Sequence, residues 1–190
     1  MEKLKTTDLK TVSFFGSPHG TGYSSRLHDA FLLNFSRSNI MRVSAYKKNV
    51  KPCIACGFCK TEFKCAYDDM NDVMEGIISA DVLSFSWPVY FSSTPSPMKA
   101  LIDRFQPLWE SSTAGVSTVN SKMIFYFITS GSEYQSVFDP SMTILKYVAL
   151  TLKSRLMENN SVKLSGLDNY NGQKNFDSVL NKLKSESLML

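Results

Sequence analysis

Apolar runs and helix-like patterns alternate along the chain. The segments at 82–86 and 123–129 are nearly continuous apolar runs, whereas 26–35 repeats apolar residues every three or four positions. Five strands are predicted, at 11–15, 40–45, 82–86, 123–129 and 162–164. Five helices are predicted, at about 25–36, 70–80, 97–105, 142–158 and 176–187.

Strands that alternate with helices in this way predict an α/β fold, in which a parallel sheet is covered by helices on both faces. The chain has 190 residues and is 43% hydrophobic, so we expect one domain over 1–190, with a cysteine-bearing loop at about 51–69. Ligands of such sheets bind at the carboxyl ends of the strands. The loops at 16–25, 87–97 and 130–134 are therefore expected to surround one site.

The first of these loops has the composition of an anion site. It reads GSPHGTGYSS between a predicted strand and a predicted helix, so the N–H groups of the helix N-terminus would face a ligand. It has neither the lysine of a nucleoside-triphosphate loop nor a GxGxxG pattern, and it therefore suits a phosphate monoester. An ordinary turn before a well-capped helix would look the same, and both interpretations stay open.

The second loop reads WPVYFSSTPSP and follows a strand predicted to be buried. Its aromatic and hydroxyl side chains suit a slot for a flat ring. The alternative is that Trp87 and Tyr90 only cover the core, which is the commoner role of aromatic side chains.

Together the two loops resemble the NADPH-dependent FMN reductase and iron–sulfur flavoprotein group of flavodoxin-like proteins. The resemblance rests on GSP…GYSS at 16–25 and on PVY…K…DR at 88–104, and it covers roughly residues 10–135. It implies a doubly wound, five-stranded parallel sheet in the order 2-1-3-4-5 and a bound FMN. In that group the second segment lies over the flavin ring.

The resemblance also implies which residues hold FMN. It places the phosphate against Ser17, Tyr23, Ser24 and Ser25. It lines the ring with Pro88, Val89, Tyr90, Phe91, Ser92 and Ser93, and closes the third side with Ser130 and Gly131. His19 stands where the group has arginine; it is a candidate to assist the phosphate when protonated, and the alternative is a solvated loop histidine. His28 is predicted to lie on a helix surface.

All four cysteines fall within 13 positions, as Cys53-x2-Cys56-x2-Cys59-x5-Cys65. This spacing is typical of a loop that wraps a [4Fe-4S] cluster, and iron–sulfur flavoproteins of the resembled group carry a compact version of it. Zinc sites prefer two Cys pairs with a longer spacer, and a reducing cytosol disfavours disulfides. A cluster, zinc and unligated thiols all remain open at this point.

The resemblance implies an FMN-dependent oxidoreductase that transfers a hydride from NAD(P)H through FMN to a small acceptor such as a quinone, free flavin or a nitro compound. No single catalytic side chain is assigned, because backbone amides of 88–93 and 130–131 would stabilise the reduced ring. One alternative is an electron carrier in which a ferredoxin-like donor feeds a cluster on the four cysteines. A second alternative is a non-enzymatic zinc-binding module.

The remaining features restrict partners and location. The net charge of +4 is scattered and gives no basic stripe for nucleic acid, and no apolar run approaches the ~20 residues that span a membrane. The first five residues carry no apolar signal region, so we expect a cytoplasmic protein. The apolar run at 105–109 and the resemblance together predict a homodimer or homotetramer.

Overall fold

The structure is a computed structural model that describes residues 6–185 and residue 188. The expectation about the first five residues lies outside this range, as does the end of the last predicted helix at 186–187. The strands of the single sheet are β1 (Thr11–Phe15), β2 (Ile40–Ser44), β3 (Val82–Pro88), β4 (Met123–Thr129), β5 (Arg155–Leu156) and β6 (Val162–Leu164).

The sheet is parallel throughout and has the order β2-β1-β3-β4-β5, which confirms the predicted order 2-1-3-4-5. The fifth position is shared by two short segments. β5 pairs with the start of β4, and β6 pairs with its end. Between them, the Ser161 hydroxyl accepts a hydrogen bond from the Tyr126 N–H at 3.1 Å. The prediction found β6 and missed β5, because two residues are too few to show periodicity.

The helices are α1 (Tyr23–Leu32), α2 (Ala45–Lys48), α3 (Cys59–Glu62), α4 (Asn71–Ser79), α5 (Ser96–Asp103), α6 (Gln106–Thr113), α7 (Asp139–Thr151) and α8 (Tyr170–Ser185). The sequence prediction missed the four-residue helices α2 and α3. It also missed α6, which has a proline in its first turn and runs into the Ser/Thr-rich stretch. α7 ends earlier than predicted because the chain turns there into β5. In the part of the chain that the structure describes, no helix is long and apolar enough to cross a membrane.

Alternate residues of the strands face two separate hydrophobic cores. In β4, Ile124 and Ile128 pack with α4, α5 and α7, whereas Phe125 and Phe127 pack with α1 and α8. Both faces of the sheet are therefore covered, which is why β3 and β4 are nearly continuous apolar runs.

His28 lies inside the second core, and the prediction that it lies on a helix surface is wrong. Its ring is fully buried and stacks between Phe15 and Phe127, with centroid distances of 4.3 and 5.1 Å. Its Nδ1 and Nε2 form hydrogen bonds with the hydroxyls of Ser86 (2.8 Å) and Ser84 (2.7 Å) on β3. The sequence held the signal, because position 28 is three before Phe31 and seven before Phe35 on the inward stripe of α1.

Candidate functional site

The three predicted loops meet at the carboxyl ends of β1, β3 and β4, where they surround a cleft of about 380 Å³. The strand order reverses between β1 and β3, and this switch point is where open α/β sheets bind ligands. The predicted site residues that line the cleft are Ser17, His19, Tyr23, Ser24, Pro88, Val89, Tyr90, Ser130 and Gly131.

The first loop is fixed by hydrogen bonds to one carbonyl group. The His19 carbonyl accepts from the hydroxyls of Ser17 (3.1 Å) and Ser25 (3.0 Å) and from the Gly22 N–H (3.1 Å). The side chain of Ser25 is buried and holds the loop rather than lining the cleft. The His19 side chain is exposed, as expected for a solvated loop histidine.

The N-terminus of α1 faces the cleft without a cap. The N-cap residue is Gly22, no side chain caps the helix, and no acidic residue lies in its first turn. The N–H groups of that turn and the positive end of the helix dipole are therefore available to an anion. Tyr23 lines the cleft and also packs its ring edge-on against Phe176 of α8, at 4.7 Å, which anchors this end of the loop.

The second loop enters the cleft and then turns back. The Val89 N–H donates to the Thr129 carbonyl at 2.7 Å, which fixes the entry. Tyr90 and Ser93 exchange backbone hydrogen bonds at 2.9 and 3.0 Å around a two-residue turn. Phe91 and Ser92 form that turn with φ values of 47° and 59°, a conformation that non-glycine residues rarely adopt. Phe91, Ser92 and Ser93 do not line the cleft and therefore form its outer rim. The Phe91 side chain is fully exposed there.

A further wall of the cleft was missed by the sequence analysis. Leu167 and Asp168, in the loop after β6, line the cleft together with Thr129 and Ser132. Their backbone N–H groups donate to the carbonyls of Ser130 (3.2 Å) and Gly131 (3.1 Å). The rule that selected the other loops, the carboxyl end of a parallel strand, also applies to β6 and would have found them.

The four cysteines line a second cavity of about 310 Å³, between their own loop and the α5–α6 region. All four thiols are free, and Ala55 and Gly57 bend the loop with φ values of 52° and 78°. Burial, with the charge of Glu110 nearby, raises the pKa of the Cys59 thiol. Arg104 also lines this cavity and not the cleft, although the resemblance placed its segment over the flavin ring.

Four thiols line the cysteine cavity, which is a donor set of the kind that iron–sulfur clusters use. Across residues 6–185 and 188, no three His, Cys, Asp or Glu side chains converge closely enough to hold one metal ion. A zinc ion needs its sulfur ligands about 2.3 Å from one point, whereas a four-iron cubane is larger and takes thiolates spread around a cavity. The donor set of four thiols around one space fits the cubane.

Sheet order and cleft position define a flavodoxin-like α/β protein. The chain belongs to the NADPH-dependent FMN reductase family, whose sequence model matches residues 9–161.

Curated relatives align with about half of the chain. The chain is 32% identical over 103 residues to an iron–sulfur flavoprotein of Methanocaldococcus jannaschii, which is 53% of each chain. It is 30% identical over 102 residues to an iron–sulfur flavoprotein of Archaeoglobus fulgidus, which is 52% of this chain and 46% of that protein. The chain thus aligns with about half the length of these curated relatives.

Two solved structures share the fold at low identity. The NAD(P)H:quinone oxidoreductase of Methanothermobacter marburgensis has a TM-score of 0.66 at 14% identity, covering 96% of this chain and 98% of that one. An azoreductase of Bacillus anthracis has a TM-score of 0.68 at 13% identity, covering 93% and 97%. The TM-scores show a common fold, and at identities this low the likeness concerns the fold alone.

Proposed function

We propose that this protein is an FMN-dependent oxidoreductase that transfers a hydride from NAD(P)H through bound FMN to a small acceptor, such as a quinone, free flavin or a nitro compound. The observation that carries the proposal is the meeting of an uncapped helix N-terminus with an aromatic-edged loop at the switch point of the sheet. Membership of the NADPH-dependent FMN reductase family supports it.

The donor set of the cleft fits FMN. The first turn of α1 offers unpaired N–H groups to a phosphate monoester, and Ser17 and Ser24 add hydroxyls.

FMN supplies the hydride chemistry when it is bound, and the chain's own residues bind and orient it. The backbone N–H groups of Val89, Tyr90, Ser93 and Ser130 already donate within the protein. We therefore propose fewer amide donors than 88–93 and 130–131 contain. In the described part of the chain, the N–H groups of Phe91, Ser92 and Gly131 have no acceptor, and we assign them to the ring.

The test is the visible spectrum of anaerobically purified protein before and after NADPH or NADH is added. We expect flavin bands that bleach with at least one of the two nucleotides and that return when a quinone is added. Protein that binds no FMN, or bound FMN that neither nucleotide bleaches, would refute the proposal.

A second candidate is an iron–sulfur flavoprotein that carries electrons from a ferredoxin-like donor to FMN. The observation that favours it is the arrangement of Cys53, Cys56, Cys59 and Cys65 around one cavity. The relatives named iron–sulfur flavoproteins support it. A cluster would add one-electron chemistry, and flavin that is reduced by a ferredoxin but by neither nicotinamide would favour this candidate.

We also propose a homodimer or homotetramer in the cytoplasm. α6 buries Pro107 and Leu108 but leaves Trp109 partly exposed beside a groove of about 350 Å³, into which Tyr147 of α7 also projects. An apolar groove of this kind suits a second copy of the chain. Light scattering that gives a monomer mass over a hundredfold range of concentration would dismiss the proposed oligomer.

Substitution at the N-cap of α1 tests the phosphate position. Gly22→Asp is expected to weaken FMN binding about a hundredfold, because its carboxylate would take the free N–H groups and repel the phosphate. Gly22→Asn is the matched control, since it caps the helix without charge and should weaken binding about tenfold less than aspartate does. Fluorescence titration of apoprotein with FMN measures both. Equal affinity in all three proteins would place the phosphate elsewhere.

A further inference from the structure

Arg104 is a fully buried arginine whose guanidinium makes five hydrogen bonds to the cysteine loop. Nε donates to the Cys65 Sγ at 3.2 Å. Nη1 donates to the Lys51 carbonyl at 2.7 Å, and Nη2 to the Tyr67 carbonyl at 3.3 Å. Nη1 and Nη2 also donate to the Asp69 carboxylate, at 3.3 and 2.6 Å respectively. The side chain of Arg104 is 0% exposed.

These bonds close the cysteine loop at its base. Lys51 precedes the first cysteine and Asp69 follows the last, and the Lys51 N–H also donates to the Asp69 carboxylate at 2.8 Å. One guanidinium therefore joins the two ends of a segment that contains all four thiols. The guanidinium suits this task because its planar donors have fixed directions.

Arg104 also distinguishes Cys65 from the other cysteines. Cys53 and Cys56 are exposed, and within the described residues no side chain donates to their sulfurs or to that of Cys59. The Cys65 sulfur is thus held by a buried cation before any ligand arrives. Arg104 therefore contacts a thiol as well as closing the loop.

We propose that Arg104 is the positioning residue of an iron–sulfur site: it fixes Cys65 and aligns the loop so that the four thiolates face one cavity. This inference rests on the second candidate function above. Since hydrogen bonds to the sulfurs and nearby charge help to set the potential of a cluster, Arg104 also raises that potential by stabilising the more negative, reduced form.

The experiment compares wild type with Arg104→Lys, Arg104→Gln and the control Arg37→Gln, which removes one exposed arginine far from the cysteine loop. Each protein is reconstituted anaerobically with ferrous iron and sulfide and desalted, and iron and sulfide are measured per FMN. We expect about four irons per FMN in wild type and in the control. We expect at least a fourfold loss of iron in Arg104→Gln, and partial retention with a lower cluster potential in Arg104→Lys.

Bound FMN and a cooperative melt show that a variant is folded. A measurement on wild type covers the case in which the variants do not fold. Protein grown with ¹⁵N-arginine and carrying the reduced cluster should show a ¹⁵N hyperfine coupling in pulsed EPR, which unlabelled protein lacks. Its absence would overturn the proposal.

Folded Arg104 variants with wild-type iron content and potential would also overturn it, as would a wild type that retains no iron. In the last case, flavin that NADPH still bleaches in the same sample would leave the proposed reductase function intact.

Discussion

Gly172→Ala is expected to destabilise the fold by about 3 kcal/mol and to weaken FMN binding at least tenfold. Gly172 lies in the first turn of α8, against the loop after β6. An added Cβ would lie 2.1 Å from the Gly166 carbonyl oxygen and 2.5 Å from its carbon. Both are backbone atoms, so no side chain can rotate to relieve the clash. The loop itself must move, and with it the cleft wall formed by Leu167 and Asp168.

Helix propensity alone predicts a change in stability of the opposite sign. Alanine in a helix is normally about 1 kcal/mol more favourable than glycine. Urea unfolding gives the change in stability, and fluorescence titration gives the FMN affinity. Gly20→Ala is the matched control for stability, because an added Cβ there meets nothing within 4 Å beyond its chain neighbours. A Gly172→Ala protein as stable as wild type would show that α8 does not press on this loop.

Stability is expected to fall as the pH drops below about 6.5, because His28 is buried without charge. Burial, with the positive charge of Arg42 adding to it, holds the pKa of His28 well below its usual value. In the unfolded chain the same imidazole takes up a proton near pH 6.5, so below that pH the unfolded state binds more protons than the folded state. The loss therefore reaches about 1.4 kcal/mol per pH unit and ends where the folded imidazole titrates.

His28→Gln should remove this slope. Glutamine has no charge to gain, and its amide keeps a hydrogen bond with one of the two serines, although the lost stacking against Phe15 and Phe127 should cost about 2 kcal/mol at pH 7.5. Urea unfolding at several values between pH 5 and 6.5 measures the slope. His19→Gln is the control, because that histidine is exposed. A slope that persists in His28→Gln but disappears in His19→Gln would contradict this account of the core.

The sequence was sufficient for the sheet but not for everything at its edges. Nearly continuous apolar runs identified β3 and β4, because both faces of each strand are buried. β5 contains two residues and shows no period, whereas α6 has a proline in its first turn and ends in a Ser/Thr-rich stretch that carries no apolar stripe. His28 shows that a polar residue on an apolar stripe is better assigned by its position than by its polarity.

The candidate site divides in the same way. The first two loops carry their motifs within ten or so consecutive residues, so sequence alone located them. The cysteines likewise show their spacing locally. Arg104 is 39 positions beyond Cys65, and β3 lies between them. Only the fold brings this side chain to the thiol, and no local pattern around Arg104 predicts the contact.

The divided fifth position of the sheet has a consequence for colloidal behaviour. An unbroken outer strand would offer a row of backbone donors and acceptors with which a strand of another chain could pair, so that the sheet grows from one chain to the next. Here that border consists of a two-residue and a three-residue segment, and the Ser161 hydroxyl occupies the β4 N–H that faces the gap between them. Short edge strands are poor templates for such pairing. Oligomers of this protein should therefore leave this edge of the sheet unjoined.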